Sequence, residues 1–117
     1  MKVTVKHMNR NEISGDVEGF VDVAIVDASH ADTTEQALEY AYRWTNNVMG
    51  SWSIKEEYLV GIGQNGDYND AVTVLRQRED GMGQRSTMMF DRMEVNGIVY
   101  EVRGIGFKEV GYVEEVA

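Results

Sequence analysis

Apolar and polar residues alternate most clearly in the first part of the chain. Residues 2–8 set Val3 and Val5 against Thr4 and Lys6, the period-two pattern of a half-buried strand. Phe20-Val21-Asp22-Val23-Ala24-Ile25-Val26 is β-branched and long enough for a central strand, antiparallel to the first. The period then changes. Ala37, Leu38, Ala41, Thr45 and Val48 recur at helical spacing, and Thr33-Thr34-Glu35-Gln36 ahead of them fits a capping box. With Asn46-Asn47 and Gly50 as the stop, the spacing predicts one helix over 33–48.

The second half of the chain reads as strands and turns. Ser51-Trp52-Ser53 is a loop carrying an aromatic, and residues 57–62 and 71–75 are strand-like, with Gly63-Gln64-Asn65-Gly66-Asp67 between them. Residues 79–86 are polar and glycine-rich, a loop. Asn96-Gly97 is the preferred pair for a two-residue type I′ hairpin turn. That turn sets Val95 against Ile98, Met93 against Tyr100, Glu94 against Val99, and Arg92 against Glu101 as an opposite-charge pair. Gly104 and Gly106 bend the chain before a last strand around 107–110. The sum is a single α+β domain over 1–117, with one main helix packed on a mostly antiparallel sheet of five to seven strands in two layers.

Composition narrows the chemistry. There is no cysteine, which excludes disulfides, thiolate metal sites and a cysteine nucleophile together. The N-terminal segment reads as a strand and not as a signal peptide, and no apolar run approaches the ~18–20 residues of a membrane span. A cytoplasmic setting, in the host cell, is the expectation. The net charge of −9 is unevenly spread. From Asn11 to Tyr42 there is no Lys or Arg, and Glu12, Asp16, Glu18, Asp22, Asp27, Asp32, Glu35 and Glu39 all fall there. Such a field repels phosphate backbones, so nucleic acid is disfavoured as a direct ligand. The arginines lie mainly later in the chain, Arg76, Arg78, Arg85 and Arg92 among them.

Motifs with known mechanics are weak here. Gly61-Ile62-Gly63-Gln64-Asn65-Gly66 fits a dinucleotide fingerprint literally, but a β-branched segment follows it where a helix is required, so it reads as a turn. Asp67-Tyr68-Asn69-Asp70 opens like a calcium loop but lacks its later glycine and glutamate. His7 and His30 are the two histidines, without metal-ligand spacing, and Ser29-His30 beside Asp27 and Asp32 has the composition of a triad without its geometry. Glu56-Glu57 and Glu114-Glu115 read as solvated carboxylates. No catalytic residue, metal or cofactor is assigned. Tyr40, Trp44 and Trp52 are candidate aromatic contacts, and Arg85, Ser86, Thr87 and Asp91 form a candidate polar site.

Three segments in order carry a resemblance: Thr45-Asn46-Asn47-Val48-Met49-Gly50-Ser51-Trp52-Ser53; Asp67-Tyr68-Asn69-Asp70 leading into Val72-Thr73-Val74-Leu75; and Arg85-Ser86-Thr87, Asp91, then residues 94–100 and Gly106-Phe107-Lys108. Together they resemble a family of small, largely uncharacterised proteins encoded by phages, plasmids and other mobile elements. Met88-Met89-Phe90 departs from the tight polar turn of that family. The resemblance implies an accessory gene of a mobile element and assigns no catalytic residues. The leading expectation is a non-enzymatic protein that binds a host or phage protein, counter-defence by acidic imitation of DNA being one concrete form. The alternatives are a nucleic-acid-associated regulatory module using the C-terminal arginines, a small enzyme with its site near Arg85 to Asp91, and a structural component of a virion.

Overall fold

The computed structural model describes residues 1–78 and 80–113. Strands β1 (Lys2–Arg10) and β2 (Val17–Asp27) form a long hairpin, followed by helix α1 (Thr34–Trp44). A two-stranded ribbon, β3 (Tyr58–Leu59) and β4 (Gly63–Gln64), comes next. Then come β5 (Val72–Val74), β6 (Arg92–Val95), β7 (Ile98–Val102) and β8 (Phe107–Tyr112). The main sheet has six strands in the order β5-β2-β1-β6-β7-β8, antiparallel throughout. This is the α+β arrangement expected from the sequence. No helix among the described residues is long and apolar enough to cross a membrane.

Strand alternation decides which side chains the helix meets. Val3, Val5 and His7 on β1 lie opposite Val26, Ala24 and Val21 on β2, and Met93 joins them from β6. Ala37, Leu38 and Ala41 of α1 close over this face, and Trp52 completes the cluster. The other face carries Lys6 paired with Asp22 at 2.8 Å and Arg92 stacked over the ring of Phe20 at 4.2 Å. An irregularity in the β1–β2 ladder after Val5 lets Val23 stand in the strand without a partner, and it is buried.

Both termini of α1 differ in how well the sequence marks them. The start follows the capping box: Thr33 Oγ1 accepts from Gln36 N, and the Gln36 side chain accepts from Thr33 N. The end comes earlier than the expected residue 48. Thr45 N and Thr45 Oγ1 both donate to Ala41 O, and the backbone leaves helical geometry there. Asp67 Oδ2 then takes the amides of Val48 and Met49, which turns the chain away. Val48, expected on the apolar face, is 63% exposed.

The expected strand over 57–62 is the second correction. Only Tyr58–Leu59 pairs, and the chain turns back at once. Asn65 explains this, because its Nδ2 donates to the carbonyls of Ser51, Ile54 and Glu56 and its Oδ1 accepts from Ser51 N and Asp67 N. One side chain thereby bonds five backbone groups of the segments on either side of the ribbon and draws them together. The fingerprint-like glycine run forms the turn of this ribbon, with Gly61 and Gly63 at positive φ.

The hairpin at Asn96-Gly97 has the expected register in every pair, and both turn residues have positive φ, 52° and 82°. The expected Arg92–Glu101 ion pair is absent although the residues are aligned. Glu101 pairs with Arg103 at 3.0 Å, and Arg92 lies on Phe20. Glu114-Glu115 lies outside the described residues.

Candidate functional site

Where the β1–β6 ladder ends, a carboxylate takes over. The last pair is Lys6 with Arg92, and the next free amide of β1, Met8 N, donates to Asp91 Oδ1 at 2.8 Å. Met88 N donates to Asp91 Oδ2 at 2.8 Å, which closes the turn over 88–91 with Phe90 at a φ of 75°. Arg85 forks onto the same carboxylate at 2.6 and 2.8 Å. Asp91 is fully buried, so this charge stands only because a cation and two amides satisfy it.

His7 joins the cluster from the strand. Its Nε2 lies 2.9 Å from Thr87 Oγ1, which lies 2.8 Å from Thr45 Oγ1. The proton directions follow from the far end. A carbonyl only accepts, so Thr45 donates to Ala41 O, Thr87 donates to Thr45, and His7 donates from Nε2 to Thr87. Nε2 of the imidazole therefore carries a proton. Burial pulls its pKa from 6.5 down to about 4, with Asp91 opposing and Arg85 reinforcing the change. The ring also meets Trp52 edge-on at 6.1 Å, and Trp52 Nε1 donates to Arg85 O at 2.9 Å.

Chemically this is a closed network. Thr87 is 1% exposed and its hydroxyl is engaged on both sides, its one proton given to Thr45, so it has no room to meet a substrate. The arrangement ties β1, the end of α1 and the loop over 84–91 together. Three of the four expected polar-site residues meet here: Arg85, Thr87 and Asp91. Ser86 points elsewhere, accepting from Asn47 N at 2.8 Å. The sequence alone does not mark His7 and Thr45 as members of this site. The signal was present in the alternation, which puts His7 on the core face after Val3 and Val5, where a polar side chain requires a partner.

The eight carboxylates of 11–42 are all exposed but lie in separate places. Glu12, Asp16 and Glu18 surround the tip of the β1–β2 hairpin, where Asn11 binds Glu18. Asp22 is held by Lys6 on the solvent face of the sheet. Asp27, Asp32, Glu35 and Glu39 cluster at the other end, around the start of α1, roughly 35 Å away along β2. Ser29 N donates to Asp27, and His30 packs on Tyr40 at 4.3 Å. Among the described residues no three His, Asp or Glu side chains gather as a metal site would require.

The aromatic expectation needs correction at Trp52, which is wholly buried and unavailable as a surface anchor. Tyr40 and Trp44 are half-buried against the core, with Arg43 over the Trp44 ring at 4.1 Å. The exposed apolar surface lies elsewhere. A groove of about 540 Å³ runs between the β3–β4 ribbon and the segment 81–83, lined by Ile54, Leu59, Val60, Ile62 and Met82. Val60 is 103% and Ile62 70% exposed. Gly50 lines it, and a Cβ there would meet Asn65 Oδ1 at 2.1 Å, so the backbone admits no side chain at that point. Of the four arginines expected to share a surface, Arg76, Arg78 and Arg85 line one cleft, and Arg92 lies on the opposite face of the sheet.

Compared with protein-family models, curated proteins and solved structures, the chain matches none of them.

Proposed function

We propose that this chain is a non-enzymatic binding protein, an accessory factor of a mobile genetic element, whose partner is another protein seated in the groove beside β3 and β4. The observation that carries this reading is the exposure of Val60, Ile62 and Met82 around one concave surface. Large contiguous apolar patches are rare on soluble monomers and mark contact sites. Among the described residues Glu56 is the one charged residue lining the groove, in keeping with the charge depletion of interface centres. Met82 adds an unbranched side chain that adapts to a partner's shape. The mobile-element setting rests on the resemblance of the three sequence segments.

The closed His7–Thr87–Thr45 chain and the satisfied Asp91 support a structural role for the cluster that most resembles an active site. The division of the acidic side chains into separate groups favours the groove over imitation of DNA. Counter-defence, if that is the biological outcome, then works by apolar contact.

The test is affinity capture from nuclease-treated host lysate with three forms of the protein. Wild type and a variant with reversed charges at the eight acidic positions are expected to retain one partner stoichiometrically. Val60→Glu/Ile62→Glu is expected to lose it with an unchanged unfolding midpoint, since both side chains are already in water. Loss with the charge-reversed form alone returns the reading to acidic mimicry. Absence of any stoichiometric partner overturns the binding function itself.

A further inference from the structure

The helix is too short to cover the hairpin beneath it. Eleven residues of α1 span about 16 Å, whereas nine residues of β1 span about 30 Å. α1 ends at Thr45, level with His7. Beyond that point the segments around 76–78 and 84–85 lie over β1 and β2 and leave a cleft of about 350 Å³. Its walls include Arg76, Arg78, Arg85, Gln77, Gln84 and His7, and among the described residues no carboxylate lines it. Two of these arginines already have carboxylate partners, Arg85 the buried Asp91 at 2.6 Å and Arg78 the exposed Asp80 at 2.7 Å, which leaves Arg76 without an ion pair among the described residues.

The cleft is also built before any ligand arrives. Arg85 is fixed by its fork on Asp91, which is itself held by the amides of Met8 and Met88. Gln84 Nε2 donates to Arg76 O at 3.1 Å, which orients that amide and leaves its oxygen as an acceptor. Arg85 and Gln84, held in this way, lose little freedom on binding.

We infer that this cleft binds a phosphorylated small molecule of nucleotide size, its phosphate on Arg76 and on Arg78, which exchanges its weak, exposed pair with Asp80 for the phosphate, and its body against Gln77 and Gln84. Planar guanidinium forks match the oxygens of a phosphate. The side-chain amides offer adjacent donors and acceptors, the pattern that a base edge complements. The volume lies at the small end of ligand sites, about 300–1,000 Å³. A polymer is disfavoured, because the surrounding charge of −9 repels a chain of phosphates but acts weakly on one phosphate in a screened cleft. This site is separate from the apolar groove, so either proposal stands or falls without the other.

The experiment is a titration of the ¹⁵N-labelled full chain, followed by ¹H–¹⁵N correlation spectra that include the arginine Nε–H signals. The probes are AMP, GMP, CMP, UMP, inorganic phosphate, adenosine and a short oligothymidylate. At least one mononucleotide is expected to give saturable shifts confined to Arg76–Arg78, Gln84–Arg85 and His7–Asn9. Inorganic phosphate is expected at the same arginines about tenfold more weakly, and adenosine without saturation. Arg76→Gln/Arg78→Gln is expected to weaken mononucleotide binding by about tenfold or more, with the rest of the spectrum unchanged. Arg85 is left intact because Asp91 depends on it. The proposal is overturned if no mononucleotide saturates, if binding survives the double variant, or if the shifts lie outside the cleft. Inorganic phosphate binding as tightly as every mononucleotide removes the nucleotide body, and saturation by the oligothymidylate alone replaces the small molecule with a polymer.

Discussion

At the scale of single residues, burial and hydrogen-bond direction decide more than residue type. His7 is an ordinary titratable side chain on a strand until Thr87, Thr45 and Ala41 fix its proton on Nε2. Its pKa is lowered in the fold, so the unfolded chain takes up a proton first as pH falls. The stabilisation from a neutral His7 is thus complete above about 6.5 and is lost as pH falls towards about 4. The difference amounts to on the order of 3 kcal/mol at its largest. Urea midpoints between pH 6.5 and 5, where most carboxylates stay ionised, are expected to fall in wild type and to flatten in His7→Gln. Nitrogen shifts of the imidazole showing a charged ring at pH 5.5 would overturn the assignment. Asp67 makes the same point without titration. In sequence it opens a run like a calcium loop, yet fully buried it turns the chain away after the helix by accepting from Val48, Met49 and Arg43.

At the scale of elements, signals confined to neighbouring residues held and those depending on distant partners did not. The capping box lies within four residues and the Asn96-Gly97 turn within two, and both are found as expected. The helix end depends on Asp67 and the fate of 57–62 depends on Asn65, and neither is visible in the local pattern. The shortened helix has a direct consequence. Leu38→Ala is expected to cost about 2–5 kcal/mol, the range for a buried leucine. Val48→Ala, at the same helical spacing, is expected within about 0.5 kcal/mol because the side chain lies outside the helix and in water. Chemical denaturation of the two variants checks this, and equal losses would show that the helix continues through Val48.

At the scale of the whole molecule, one hydrophobic cluster joins β1, β2, β5, β6, β7 and α1. Trp52 sits within it and also holds the loop carbonyl of Arg85, so loop and sheet share a core residue. Unfolding is accordingly expected as one transition, with the far-ultraviolet signal and the tryptophan signal coinciding along a urea gradient. A tryptophan transition well ahead of the backbone transition would show that the loop region opens separately. At this scale too the charges separate into regions. The acids of 11–42 lie mainly at the hairpin tip and beside α1, three arginines line one cleft with Asp80 and Asp91 paired to two of them, and the apolar groove lies beside the ribbon.

The sequence by itself determined the α+β class, the β1–β2 hairpin, the start of α1 and the β6–β7 register, since period and turn chemistry act over a few residues. It also brought Arg85, Thr87 and Asp91 into one candidate site, because they are close in the chain. Only the tertiary structure added His7, 80 residues from Thr87, and separated Arg92 from the other arginines. It likewise buried Trp52 and exposed Val60 and Ile62. The physical reason is common to these cases. Burial and long-range hydrogen bonds depend on which segments fold over one another, and local periodicity carries no information about that.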